Sequence, residues 1–279
     1  MDIPTKRMKE CIFCLTENDS KSIEHIVPES FGNKKYVMEL GTVCDTCNSK
    51  FSKFEKVALS NSIFVMERAR LGKPSKKGNP AKGKLEEFEI TGDSEFTPQK
   101  VVMGGLTKDS IKDYDPASGI FTVTIPSFDK SEVSTSKMLL KIGLESIFKS
   151  QRKRIYNNNK FDDLREFLLG SQSKDWPFLV TDHQVGKFAS IPRFNDKFEL
   201  SKIPCILQYQ LVSGNVILRF TYGAISMLIN LSNRDLEWTE VYLQEDPNAT
   251  LHPDHFKAKL EKSRNSKLNK GDLENFPGA

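Results

Sequence analysis

Four of the five cysteines in this 279-residue sequence fall into two pairs, Cys11-x-x-Cys14 and Cys44-x-x-Cys47, separated by 29 residues. Each pair can form a tight knuckle whose two thiolates point at one tetrahedral ion. A site with four thiolates has no open coordination position, so a Zn²⁺ there supplies folding free energy and no chemistry. Structural zinc is therefore expected on Cys11, Cys14, Cys44 and Cys47. The fifth, Cys205, lies in an apolar run and reads as a buried, inert thiol. Between the knuckles stand Glu24 and His25, and directly after the second stands Asn48. A neutral imidazole can take a proton from water. A carboxylate and an amide oxygen are hard donors suited to Mg²⁺ or Mn²⁺. The pair His252-x-x-His255 has Pro253 and Asp254 between its histidines and no third ligand in sequence reach, which suggests a helix start at the surface, and His183 has no constellation around it.

The order Cys-x-x-Cys, Glu24-His25-Ile26-Val27-Pro28, Cys-x-x-Cys-Asn48 resembles the HNH endonuclease family, in particular its branch with four zinc-binding cysteines, over about residues 8–60. The resemblance implies a ββα-metal fold in which the knuckles bracket a β-hairpin carrying His25 and a helix that starts near Asn48. It implies His25 as general base, and Glu24 with Asn48 as holders of the catalytic divalent cation. Lys50 lies where a basic side chain could meet phosphate. Hydrolysis with the cation steadying the leaving 3′ oxygen would yield a 5′-phosphate. Neighbouring side chains on a regular strand face opposite ways, so Glu24 and His25 can share a site only where the strand is distorted or ends. In the place of the family's middle asparagine, five residues before Cys44, stands Glu39; Asn33 lies earlier.

The elements that must hold these groups are legible in part. Phe51, Phe54, Ala58 and Val65 recur at roughly helical spacing, which predicts a helix from near Asn48 to near Gly72. From Arg68 to Lys84 the chain carries seven cations and no acid among Gly, Pro, Ser and Asn, the pattern of a basic linker. The expected organisation is α+β throughout: a small zinc-stabilised ββα-metal domain at 1–72, a linker at 73–84, a larger α+β specificity or regulatory domain at 85–261, and a disordered tail at 262–279. Within the larger domain, strands are expected at 86–91 and 119–125 and helices at 136–150 and 161–169, the last stopped by Gly170. A hairpin is expected from 205–212 and 216–222 around Ser213-Gly214-Asn215, with a third strand at 224–231.

Hydrophobic residues make up 38% and charged residues 28%, with nineteen Phe, so the chain can build cores and is not of the disordered class. No apolar run approaches the ~20 residues of a membrane span, and the amino terminus lacks the apolar stretch of a signal peptide, so a cytoplasmic protein is expected. Residues 1–84 carry 16 Lys/Arg against 10 Asp/Glu, and the remainder 25 against 27, which concentrates the basic excess at the amino-terminal part. Lys50, Lys53, Lys73, Lys76 and Lys77, with Lys82 and Lys84, are candidates for phosphate contact, giving affinity that falls with salt. The leading expectation is a metal-dependent DNA endonuclease, with RNA not excluded and a resemblance to restriction and anti-phage nucleases. Double-strand cleavage would take a homodimer or two visits. The alternatives are a zinc-ribbon nucleic-acid-binding protein without cleavage, or a nuclease licensed when a ligand or protein partner triggers the second domain.

Overall fold

The computed structural model describes residues 9–34, 36–75, 77–85, 88–123, 125, 127–157, 159–170, 174–182, 184–191 and 205–262. Lys76, His183 and the tail from 263 onward therefore lie outside the described residues. The fold is α+β, and among the described residues no helix is long and apolar enough to cross a membrane.

The amino-terminal segment opens with a two-residue antiparallel pair, β1 (Lys9–Glu10) with β2 (Glu17–Asn18), which closes the first cysteine knuckle. The helix after the second knuckle, α1 (Asp45–Ala58), begins three residues before Asn48. Cys44 caps it, its sulfur accepting from the Cys47 amide. The expected continuous helix to Gly72 is in fact two. α1 stops at Leu59, and α2 (Ser62–Arg70) starts after Asn61, whose side chain donates to the Ala58 carbonyl and accepts from the amides of Lys130 and Ser131. That tertiary anchorage overrides the helical spacing that continues through the break. Arg68 and Arg70, the first cations of the basic run, lie in α2, and its last residues form β3 (Lys82–Lys84).

Strand β3 pairs with β4 (Glu89–Gly92), which pairs with β5 (Val101–Gly104), all antiparallel. α2 lies across this sheet through Val65 and Ala69, which join Ala81, Leu85, Phe88 and Ile90 in a small core. A two-stranded ribbon, β6 (Ile111–Asp115) with β7 (Ile120–Val123), follows.

The long helix α3 (Glu132–Asn157) and α4 (Asp162–Leu169) contain the two expected helices, with α3 extended at both ends and α4 stopped by Gly170 at φ 85°. They are followed by β8 (Phe178–Thr181), β9 (Ala189–Ser190), β10 (Cys205–Val212), β11 (Asn215–Tyr222), β12 (Ile225–Asn230), α5 (Thr239–Glu245) and β13 (Thr250–His252). Six of these strands make one antiparallel sheet in the order β13-β8-β12-β11-β10-β9. The β10–β11 turn is the dipeptide Ser213-Gly214, both at positive φ, so Asn215 pairs with Val212 as the first residue of β11. Both faces of the sheet are covered. Ile217, Leu228 and Leu179 pack on α5 and helical residues 255–262 through Trp238, Tyr242 and Phe256.

The opposite face, with Phe178, Leu218, Phe220 and Tyr222, faces α3 and the zinc-knuckle segment in one continuous core that includes Cys11, Phe13, Phe31, Phe51 and Phe64. Phe31 is the pivot: its ring lies 4.3 Å from that of Tyr222, 5.5 Å from Phe64 and 5.6 Å from Phe220.

Candidate active site

The four knuckle sulfurs lie within 4.8 Å of one another, with Cys14 and Cys44 Sγ 3.7 Å apart. Backbone amides support them: Cys44 N–H donates to Cys11 Sγ and Cys47 N–H to Cys44 Sγ, both at 3.4 Å. The Cys47 thiol's hydrogen bond holds Cys11 down to about 4 even against its burial, and that bond with burial pushes Cys47 well up. The spacing and soft donor set of the cluster fit one tetrahedral metal ion such as zinc. Cys205 stands apart, buried in β10, and burial pushes its thiol up, as expected of an inert side chain.

Between the knuckles the chain forms a single antiparallel bridge, His25 with Val37, flanked by Met38 N–H to the Glu24 carbonyl (2.8 Å) and Ile26 N–H to the Tyr36 carbonyl (3.2 Å). Because the strand amounts to one bridge, strict alternation lapses, and Glu24 and His25 line the same cleft. The Asn33 side chain bolts this bend. Fully buried, it donates to the carbonyls of Val27 (2.7 Å) and Tyr36 (2.9 Å) and accepts from the Tyr36 amide (2.8 Å). Glu39 points elsewhere: it is exposed and pairs with Lys9 at 3.3 Å.

The cleft, of about 610 Å³, lies between this bend and the outer face of α1, and Glu24, His25, Asn48, Glu55 and Arg68 all line it. His25 is half-buried with Nδ1 turned inward. Asn48 lies in the second turn of α1, not at its cap; its Nδ2 donates to Ser22 Oγ at 3.3 Å, which leaves Oδ1 to meet a ligand. Ser22 is held in turn by Asp45, which accepts from the hydroxyls of Ser20 and Ser22 and the amides of Lys21 and Ser22. These bonds hold the Asp45 carboxyl well below the usual range.

Behind the cleft is a buried charge cluster that the sequence reading missed. Lys141 of α3 has no solvent exposure. Its ammonium pairs with Glu24, with Glu55 at 2.8 Å and with Glu145 at 3.4 Å, and donates to the His25 carbonyl at 2.9 Å. Burial alone would lower its pKa, but the carboxylates of Glu145, Glu55 and Glu24 outweigh burial and hold it above the ordinary lysine range. Burial raises Glu24, opposed by Lys141, and pushes Glu145 well up. Glu55 follows Asn48 by seven residues, two helical turns, so helical spacing already placed it on the same face; Lys141 carried no sequence signal at all.

A divalent cation is implied by the family resemblance. Glu24 and Asn48 offer hard oxygens from two elements into one cleft, and two carboxylates, Glu24 and Glu55, converge there on a single ammonium. That donor set fits such an ion.

The basic residues divide. Lys50 donates to the Leu169 carbonyl at the end of α4 (2.6 Å) and does not line the cleft. Lys53 and Lys77 are exposed away from it, and Lys73 is half-buried. Lys56 and Lys82 are at the cleft, Lys82 paired with Glu89 at 2.8 Å. His252 and His255 do not converge on one site. The first binds Glu132 through Nδ1 (2.7 Å) and Thr250 through Nε2 (2.9 Å), and the second lies 3.6 Å from Asp175.

Residues 11–64 match the sequence model of a family described as HNH endonuclease. The match takes in both cysteine knuckles, the His25 bend and α1, about a fifth of the chain, and agrees with the resemblance read from the motifs. That family is generally one of nucleases, so the segment suggests nuclease activity on nucleic acid. No curated protein and no solved structure matches the chain.

Proposed function

We propose that the cleft is the active site of a DNA endonuclease that hydrolyses phosphodiester bonds, with zinc on the four cysteines as scaffold and Mg²⁺ or Mn²⁺ as the catalytic ion. The observation that carries this reading is the convergence of Glu24, His25 and Asn48 on one cleft beside the cysteine cluster.

His25 is the general base in this reading. With Nδ1 buried, Nε2 is the nitrogen that takes the proton from the attacking water. Glu24 and Asn48 Oδ1 would hold the divalent ion, which supplies charge neutralisation at the phosphate and the departing 3′ oxygen. Asn33 and Lys141 act on His25 from behind, the first by fixing the bend that carries it and the second by binding its carbonyl. Lys56 and Lys82 at the cleft favour a polyanion without reading its sequence. Residues 85–261 would supply specificity or control.

The test is plasmid nicking with Mg²⁺ or Mn²⁺ by the zinc-loaded protein and by His25→Ala, both shown to be folded. Cleavage by the wild type alone is expected. Absence of cleavage by either, across both metals and with modified DNA included, would overturn the reading.

A further inference from the structure

Arg68 is 8% exposed, yet among the described residues no carboxylate pairs with it. Its sequence neighbour Glu67 does not serve: that carboxylate holds Arg70 through both oxygens and caps the amide of Ala224. Two of the three guanidinium nitrogens of Arg68 are committed to backbone carbonyls at the α1–α2 junction, Nη2 to Leu59 (3.1 Å) and Nε to Phe64 (3.4 Å). Arg68 lines the cleft, and its Nη1 makes no hydrogen bond and is not among the sealed, unsatisfied atoms, which leaves it as the nitrogen available to a ligand. Burial lowers the Arg68 pKa, opposed by the buried Tyr222 phenol, which burial itself pushes up. A guanidinium cannot shed its proton, and burying it without an anion is costly unless a ligand brings the anion. The same cleft holds His25 and Asn48.

We propose that Arg68 is a phosphate-binding residue of this cleft, its Nη1 meeting a non-bridging oxygen of the nucleic-acid backbone while its other nitrogens keep the fork rigid. The proposal rests on the cleft being the site where nucleic acid binds. The planar guanidinium, pinned on two edges by main chain, presents its third edge without reorganisation, which suits a phosphate oxygen better than a mobile lysine. Arg68 lies in α2, outside the matched residues 11–64.

The experiment measures binding, with no cleavage required. The zinc-loaded full chain, Arg68→Met and Arg68→Lys are titrated into a fluorescent 5′-phosphorylated duplex oligonucleotide in buffer lacking Mg²⁺ and Mn²⁺, at several salt concentrations. Arg68→Met is expected to bind roughly tenfold or more weakly, as losing one charge-assisted hydrogen bond implies, and to reduce the salt slope by about one. Arg68→Lys should recover the slope but only part of the affinity. In wild type, the ¹⁵N side-chain signals of Arg68 should shift on adding the oligonucleotide, an arm that decides the matter if Arg68→Met does not fold. A folded Arg68→Met with unchanged affinity and slope, or Arg68 signals unmoved at saturation, would overturn the proposal. So would a shift with inorganic phosphate and none with the oligonucleotide. Binding that depends on Arg68 in a protein that never nicks DNA would support the phosphate site while sinking the nuclease reading.

Discussion

Lys141 Nζ donates to the main-chain carbonyl of His25 at 2.9 Å across 116 residues of sequence. Its ammonium is wholly buried and also pairs with Glu24 and Glu55, so one side chain of α3 orients the candidate base and balances two acids in the cleft wall. Lys141→Met should therefore leave buried carboxylates uncompensated, at a cost of roughly 3–5 kcal/mol. Urea unfolding would show that loss, and nicking should fall even under conditions where the variant is folded. A variant as stable as wild type would mean that the cluster contributes no net energy.

The zinc expectation follows from the four sulfurs and from the dual role of Cys44, which joins the cluster and caps α1. Cys44→Ser should reduce bound zinc from about one ion per chain to near none and melt the segment that carries His25 and Asn48. A chelator should do the same to wild type. Zinc content with far-ultraviolet circular dichroism checks both, and unchanged helicity after complete zinc loss would remove the scaffold role.

Phe31 inserts from the His25 bend into a core shared with Phe64, Phe220 and Tyr222. Phe31→Ala should cost about 3–5 kcal/mol, the range for a truncated core aromatic. Because that core is continuous from the knuckles to the six-stranded sheet, unfolding should stay a single cooperative transition seen alike by zinc release and by fluorescence of Trp176 and Trp238. Two well-separated transitions would show that the knuckle segment is stabilised independently of the sheet.

What the sequence disclosed was local. Cysteine spacing announced the four-sulfur cluster, and the tripeptide at 213–215 announced the hairpin because positive φ at Ser213 and Gly214 is a property of a short stretch. The convergence of Glu24, His25 and Asn48 was legible through a family pattern. Hidden features were those decided by partners far away. The α1–α2 break depends on Asn61 meeting Ser131 and Thr135, and the charge cluster depends on α3 reaching the His25 bend. Arg68 read as the start of a solvated basic run, since composition does not show that its guanidinium turns inward. Glu55 was recoverable from helical spacing alone.

His252 offers a pH signature away from the four cysteines and the cleft. It packs between Phe128 and Phe178, accepts or donates to Thr250, and faces Glu132, Asp254 and Lys257. Burial lowers its pKa below the ordinary 6.5, with Glu132 opposing. A folded value below the unfolded one means that its contribution is fully present above about pH 6.5 and is lost as pH falls through the folded value. Stability should therefore drop between about pH 7.5 and 5.5 more in wild type than in His252→Asn. With only four histidines in the chain, an NMR titration reads the site directly. Titration of His252 at or above 6.5 would contradict the burial argument.

Asn33 separates positioning from binding. Its amide satisfies the carbonyls of Val27 and Tyr36 and the amide of Tyr36, closing the loop that presents His25, while its side chain takes no place in the cleft lining. Asn33→Ala would orphan three buried main-chain groups, each costing about 1–3 kcal/mol where water cannot reach it. Asn33→Asp would set a carboxylate against two carbonyl oxygens and should be worse, although the two side chains are nearly equal in size. If the loop's function is to hold His25, the residual folded Asn33→Ala should bind the duplex oligonucleotide with little change and lose nicking by an order of magnitude or more in the rate step, with KM nearly constant. A parallel loss of DNA affinity would instead mean that the bend itself touches the substrate, and would move Asn33 from support of the base to support of the binding surface.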